Sequence, residues 1–302
     1  MKKIALLFLI IIITLSGCVP KVHSHTFFAM DTFIDIAGDK DSLAEKEIKR
    51  IDALLSVTNE DSDISKYNRG EPVTDETQAL IDRCEEICRI TDGAFDITVQ
   101  TAVDLWDVKN AKKPPSDSDI KKAIADKNKI GLGAIAKGYA ASRARQVLLD
   151  SGVKSAVLSL GGNVAVIGKK ADGSNWSVGI QHPLYSDRVI AALKASDTAV
   201  VTSGGYQRYF EFEGKKYHHI LDPKTGYPSD SGIISSTVIT KDDTLADALS
   251  TAVYVMGVKK ATELYKSLDI ELIMVTADTV YVTEGLDVSL NDNSFKLEVI
   301  SK

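Results

Sequence analysis

The chain has 302 residues, 44% hydrophobic and 26% charged, with 36 Lys and Arg against 42 Asp and Glu for a formal net charge of −6. That composition excludes a collagen, a disordered tail and a polytopic membrane protein. It also lacks the basic excess that nucleic-acid binding requires, so no nucleic acid is expected as a partner.

At the start, Lys2 and Lys3 precede an almost unbroken apolar run over 4–15. The run matches the apolar region of a secretory signal and is too short to cross a bilayer core of about 30 Å as a helix. Leu15-Ser16-Gly17-Cys18 follows and resembles a bacterial lipobox. Removal of residues 1–17 as a lipoprotein signal peptide and lipidation of Cys18 are therefore expected; the competing reading is a cleaved signal with an incidental Cys. Each buried CH₂ contributes ~0.8 kcal/mol, so several acyl chains would hold residues 18–302, read as a single domain, on the extracytoplasmic face of the cell membrane. Cys84 and Cys88, four apart on an expected helix, read as small core residues, although export would permit a disulfide. No Cys/His spacing suggests zinc.

Residues 25–36 alternate enough for a first strand, and Ser42-x-x-Glu45 is a capping box opening a helix to about residue 57. A polar loop over 58–71 leads to a second helix over about 75–92, stopped by Gly93. Residues 107–129, rich in Lys, Asp and Pro, read as a surface excursion with a short helix near 119–125. Then come a strand, a Gly-rich turn, a helix over 139–149, and strands over 155–160, 164–167, 176–180, 191–195 and 199–202. A hairpin pairs 209–212 with 216–220. After a strand over 235–239, one helix capped by Thr244 and a second over 259–268 precede strands over 272–275, 280–283 and 295–300. A mostly antiparallel sheet with flanking helices makes the expected class α+β.

Four constellations carry chemistry. Ile130-Gly131-Leu132-Gly133-Ala134-Ile135-Ala136-Lys137-Gly138-Tyr139 places glycines between a strand and a helix, where a ligand can approach the backbone and a helix start favours anions. The same glycines read equally as a tight turn with close helix packing. Leu160-Gly161-Gly162-Asn163 ends an apolar strand and is by itself a turn signal. Thr202-Ser203-Gly204 is followed by His218 and His219, which alternation puts on opposite strand faces, so that at most one faces a shared site. Such a His can serve as a general base or as an orienting group. Asp247, Ser250 and Thr251 sit at i, i+3 and i+4 on one helical face, a carboxylate with hydroxyls that suits Mg²⁺. Placement of Asp247 in the first helical turn, favoured by the helix dipole, is the alternative.

Together these segments resemble the ApbE family of FAD:protein FMN transferases. The likeness rests on Met30-Asp31-Thr32, Ala94-Phe95-Asp96, the block over 133–139, Gly161-Gly162-Asn163, Thr202-Ser203-Gly204, His219-Ile220-Leu221-Asp222-Pro223 with Thr225-Gly226, and Ala246-Asp247-Ala248-Leu249-Ser250-Thr251. The resemblance implies a T-fold-like domain binding FAD in an extended pocket, with Mg²⁺ on its pyrophosphate. It implies FMN transfer to a threonine or serine hydroxyl of an exported acceptor flavoprotein of a redox complex, with release of AMP. Carried over residue by residue, it implies that Met30, Tyr67, Ala94, Phe95, Asp96 and Lys137 contact FAD. Ala134, through its carbonyl, would hold Mg²⁺ with Asp247, Thr251 and Ser250, and His219 would be the catalytic base. Gly131 and Ser142 stand where the family usually has Asp, the first of these a contact to FAD, and Asp31 where Gly is common. Two rivals remain in view. A Mg²⁺-dependent FAD pyrophosphatase would use water in place of the hydroxyl, and a non-enzymatic flavin-binding lipoprotein would need neither the metal nor His219.

Overall fold

The computed structural model describes residues 23–302, so the expected signal segment and Cys18 lie outside the described residues. The first expected strand is two: β1 (Ser24–Ala29) and β2 (Thr32–Gly38) pair antiparallel around Met30 and Asp31. Both turn residues hold positive φ, 52° and 59°, without the glycine or asparagine that marks such turns in a sequence. Helix α1 (Asp41–Leu55) follows a left-handed Lys40, and the expected capping box does not form. Glu45 instead pairs with Lys49 and His25.

The polar loop contains α2 (Asp63–Asn68), capped by Ser62, whose Oγ accepts from the Ser65 N–H at 3.0 Å. Helix α3 (Asp75–Ile90) ends just before Gly93, and α4 (Gln100–Trp106), which no periodicity announced, precedes α5 (Asp117–Ala125). Cys84 and Cys88 on α3 are free thiols, Cys84 buried. Helix α6 (Ala136–Asp150) leads to β3 (Ala156–Leu160), β4 (Asn163–Ile167), β5 (Trp176–Gln181), β6 (Val189–Ala195) and β7 (Ala199–Gly204). The hairpin is β8 (Tyr209–Phe212) and β9 (Lys215–His218), and β10 (Ser235–Thr240) runs into α7 (Asp243–Ser267). Asp242, not Thr244, caps α7, its Oδ1 accepting from Leu245 N–H at 3.0 Å. Gly257, at φ 75° and ψ 166°, divides α7 into the two helical stretches expected. Strands β11 (Glu271–Val275), β12 (Thr279–Thr283), β13 (Val288–Leu290) and β14 (Lys296–Ile300) complete the α+β fold.

Nine strands form one sheet in the order β1-β2-β3-β4-β7-β10-β11-β12-β14, antiparallel except for β12 with β14. Period-2 alternation divides its side chains cleanly. Ala199, Val201, Val238, Leu272 and Met274 face the helices, while Val200, Ile239, Ile273 and Val275 face the small sheet β13-β6-β5. Each buried Ile, Leu or Val contributes about 1.5–3 kcal/mol, so a sheet apolar on both faces holds two layers in place. A third cluster, around Trp106, Ile120 and Leu221, joins α4 and α5 to the β8–β9 hairpin. Among the described residues no helix is long and apolar enough to cross a membrane.

Candidate active site

The start of α6 meets the first turns of α7 at Gly138. A Cβ there would lie 2.4 Å from the Asp243 carbonyl oxygen and 2.5 Å from Asp247 Cβ, so only glycine lets the helices approach this closely. The approach also caps α6. Gly138 N–H lies in the first turn, where amides have no helical acceptor, and donates to Asp247 Oδ2 at 2.7 Å. Among the described residues no backbone donor reaches the Ala134 carbonyl, which precedes the helix. Asp247 is 2% exposed, and its Oδ1 faces Lys137 Nζ at 3.8 Å, beyond hydrogen-bond reach. Thr251, half-buried, lies one helical turn further along. Ser250, also expected as a ligand, is fully buried, and its hydroxyl meets the Asp247 carbonyl (2.8 Å) and Ser203 (2.7 Å).

Strand β9 delivers the two histidines to different environments. His218 Nε2 donates to the Ser229 carbonyl at 3.0 Å, its Nδ1 accepts from Ile220 N–H at 3.3 Å, and Tyr254 lies edge-on to the ring. With both nitrogens occupied, His218 is structural. His219 Nδ1 is 3.2 Å from the Arg208 carbonyl. A carbonyl only accepts, so the proton is assigned to Nδ1, which leaves Nε2 as a free base. His219 lines a cleft of about 400 Å³ with Asp104, Trp106, Lys109, Arg208 and Leu221. Burial lowers its pKa to about 4, aided by the positive charges of Arg208 and Lys137. It is therefore neutral at pH 7.

The residues expected to contact flavin each have their own partners. Met30 N–H donates to Asp52 Oδ2 at 2.9 Å and its side chain packs on the helix-side core. Asp31 pairs with Lys109 (2.8 Å) and Arg208 (3.3 Å), tying the β1–β2 turn to two walls of the cleft. Tyr67 packs on the same core from α2. Its neighbour Asn68 clamps the Gly-rich segment, donating to the Ile130 carbonyl at 3.0 Å and accepting from Ile130 N–H at 2.9 Å. Ala94 and Phe95 are buried, so the Phe95 ring is core and its backbone is what a ligand can meet. Asp96 caps the turn at Thr98 (2.8 Å) and pairs with Lys127 (3.1 Å). Burial alone would raise its pKa, but the Thr98 bonds and Lys127 hold the carboxyl below its ordinary value.

Gly131 is explained by a neighbour that sequence reading missed. A Cβ at 131 would lie 1.6 Å from Gln100 Oε1, so the Gln100 side chain fills the space of any side chain there. Gln100 Nε2 donates in turn to Asp104 Oδ1 at 2.6 Å. Ser142 is half-buried on α6. Asp104 and Gln100 carried no signal because α4 itself was unexpected; Arg208 stood within the run after Thr202-Ser203-Gly204 without a periodicity to single it out.

The fold and the site define an α+β enzyme with a carbonyl just before a helix start, a buried carboxylate and a neutral histidine. The chain belongs to the ApbE family, whose family model matches residues 30–274. A protein named FAD:protein FMN transferase from Klebsiella pneumoniae (strain 342) is 32% identical over 271 residues, covering 81% of this chain and 82% of that protein. The crystal structure of the ApbE protein from Thermotoga maritima aligns at 34% identity and TM-score 0.78, over 90% of this chain and 97% of that one. The apo form of the Pseudomonas stutzeri flavinyl transferase ApbE aligns at 28% identity and TM-score 0.74, over 85% and 92%.

Proposed function

We propose that this chain is a Mg²⁺-dependent FAD:protein FMN transferase that moves FMN from FAD to a threonine or serine hydroxyl of an exported acceptor flavoprotein and releases AMP. It works on the extracytoplasmic face of the cell membrane, held by lipid at Cys18. The observation that carries this reading is the Gly138 to Asp247 bond, which ties the start of α6 to Asp247 while, among the described residues, the Ala134 carbonyl and Asp247 Oδ1 make no hydrogen bond.

These donors fit Mg²⁺. All three are hard oxygens, and among the described residues no cluster of three or more His, Cys, Asp or Glu side chains is arranged to hold a metal ion. A site with so few protein ligands suits a cation that completes its shell with water and phosphate. When bound, Mg²⁺ would neutralise charge developing on the pyrophosphate. Lys137, paired loosely with Asp247, would hold the same anionic group. His219 Nε2 takes the proton of the acceptor hydroxyl. The hydroxyl oxygen attacks the flavin-side phosphorus, the bond from that phosphorus to the bridging oxygen breaks, and AMP leaves with that oxygen. Arg208 orients the base by accepting the His219 Nδ1 proton at its carbonyl.

Mass spectrometry of an acceptor incubated with enzyme, FAD and Mg²⁺ tests the reading. A covalent FMN adduct is the expected product; free FMN and AMP without adduct would establish hydrolysis instead. FAD bound with no turnover would establish a carrier. For the anchor, Cys18→Ala is expected to move the protein from the membrane to the soluble exported fraction.

A further inference from the structure

Between α7 and strands β7 and β10, an otherwise apolar interface carries hydroxyls from Ser203, Ser236, Ser250 and Thr251. Their protons can be assigned in sequence. Ser250 Oγ lies 2.8 Å from the Asp247 carbonyl, which only accepts, so the Ser250 proton is used there. Ser250 must then accept at its 2.7 Å contact with Ser203, which makes Ser203 the donor. With its proton committed, Ser203 can only accept at its longer contact with Thr251 Oγ1, 3.4 Å away. Ser236 donates to the Ser250 carbonyl at 2.6 Å and fixes β10 to the same helical turn. The chain of donors runs one way, from Thr251 inward, and ends on a carbonyl that cannot reverse it.

We infer that Ser203 is a positioning residue that draws the Thr251 proton into the sheet, so that Thr251 offers a lone pair to a divalent cation shared with Asp247. The inference rests on the cation site proposed above. A cation accepts lone pairs only, and a hydroxyl whose proton faces it contributes repulsion. Ser203 therefore sets whether Thr251 is a ligand at all. Ser250, fully buried, serves as the link between Ser203 and the helix backbone. Groups that orient metal ligands from behind are typically worth about 10–100-fold in metal affinity.

Calorimetric titration of Mg²⁺ into the FAD-loaded full chain, with FAD affinity measured separately in chelator, tests the assignment. Ser203→Ala is expected to weaken Mg²⁺ binding about 10-fold without changing metal-free FAD affinity. Ser203→Thr, which keeps the hydroxyl, is expected to restore most of it. Thr251→Ala should weaken Mg²⁺ binding at least as much, and the double variant should bind no more weakly than Thr251→Ala alone. Unchanged Mg²⁺ affinity in Ser203→Ala, with Thr251→Ala impaired, would overturn the role of Ser203 and leave the cation site standing. Unchanged affinity in both would overturn the cation site and this inference with it. Equal loss of metal-free FAD binding in Ser203→Ala would show a purely structural residue. Should Ser203→Ala not fold, Ser203→Cys, close in size but a weak donor, carries the same expectation and the same contrary outcomes.

Discussion

The junction of α6 with α7 and the wall of the His219 cleft are built on different principles. At the junction, helix backbones touch through Gly138, a buried carboxylate holds an amide, and the Arg145 to Asp243 ion pair at 2.9 Å has side chains only 13% and 4% exposed. At the cleft, the Asp31 to Lys109 pair at 2.8 Å has side chains 47% and 68% exposed, and Asp104 is paired with an exposed Lys129. Buried contacts of the first kind hold a geometry to fractions of an ångström. Exposed ion pairs of the second kind contribute about 0–1 kcal/mol and exchange readily for other partners. The difference sets a tightly fixed junction against a cleft wall whose contacts can exchange.

Five experiments break or sharpen that contrast, in order of expected size. His219→Ala should lower turnover about 10²–10⁴-fold with FAD affinity retained, because it removes the base without touching the junction. In the unmodified enzyme kcat/KM should fall only as pH drops through about 4, since the lowered pKa keeps His219 deprotonated above that value. A fall centred near the ordinary 6.5 would show a solvated, unperturbed ring. Gly138→Ala should destabilise the fold by about 1–3 kcal/mol or more in chemical denaturation, because its new methyl meets a backbone carbonyl that cannot step aside. Gly131→Ala meets a side chain instead, so its cost should be smaller, about 1 kcal/mol, and Gln100→Ala should relieve most of it. If the two glycine substitutions cost the same, the contrast between rigid backbone and movable neighbour is wrong. Asp31→Ala should change stability by no more than about 1 kcal/mol and shift mainly the KM for the protein acceptor, read from acceptor-dependent rates.

Much of this site was legible because its residues are local to one element. Helical spacing alone put Asp247, Ser250 and Thr251 on a common face, and strand alternation separated His218 from His219. What spacing does not convey is which hydroxyl is tied to the sheet, and so Ser250 stood beside Thr251 among the expected ligands. Its engagement by Ser203 joins residues 47 apart in sequence. The amide of Gly138 and the carboxylate of Asp247 are 109 apart, and Asn68 reaches Ile130 across 62. The sheet and its class followed from period-2 patterns, whereas the β1–β2 turn was hidden by turn residues that are neither Gly nor Asn. Helices α2 and α4, at 6 and 7 residues, are too short to show a period. Capping by Asp242 in place of Thr244 was a choice between two good caps that only the path of β10 into α7 decides.

Helix α7 also acts as a ruler. Thr251 and Tyr254 are three residues apart, about 4.5 Å of helical rise, and the Tyr254 ring packs edge-on at 5.4 Å against His218, the immediate neighbour of His219. The spacing between Thr251 and the end of β9 is thus set by a single turn of one helix. Insertions or substitutions in the cleft wall can reshape that surface while these two points stay in step.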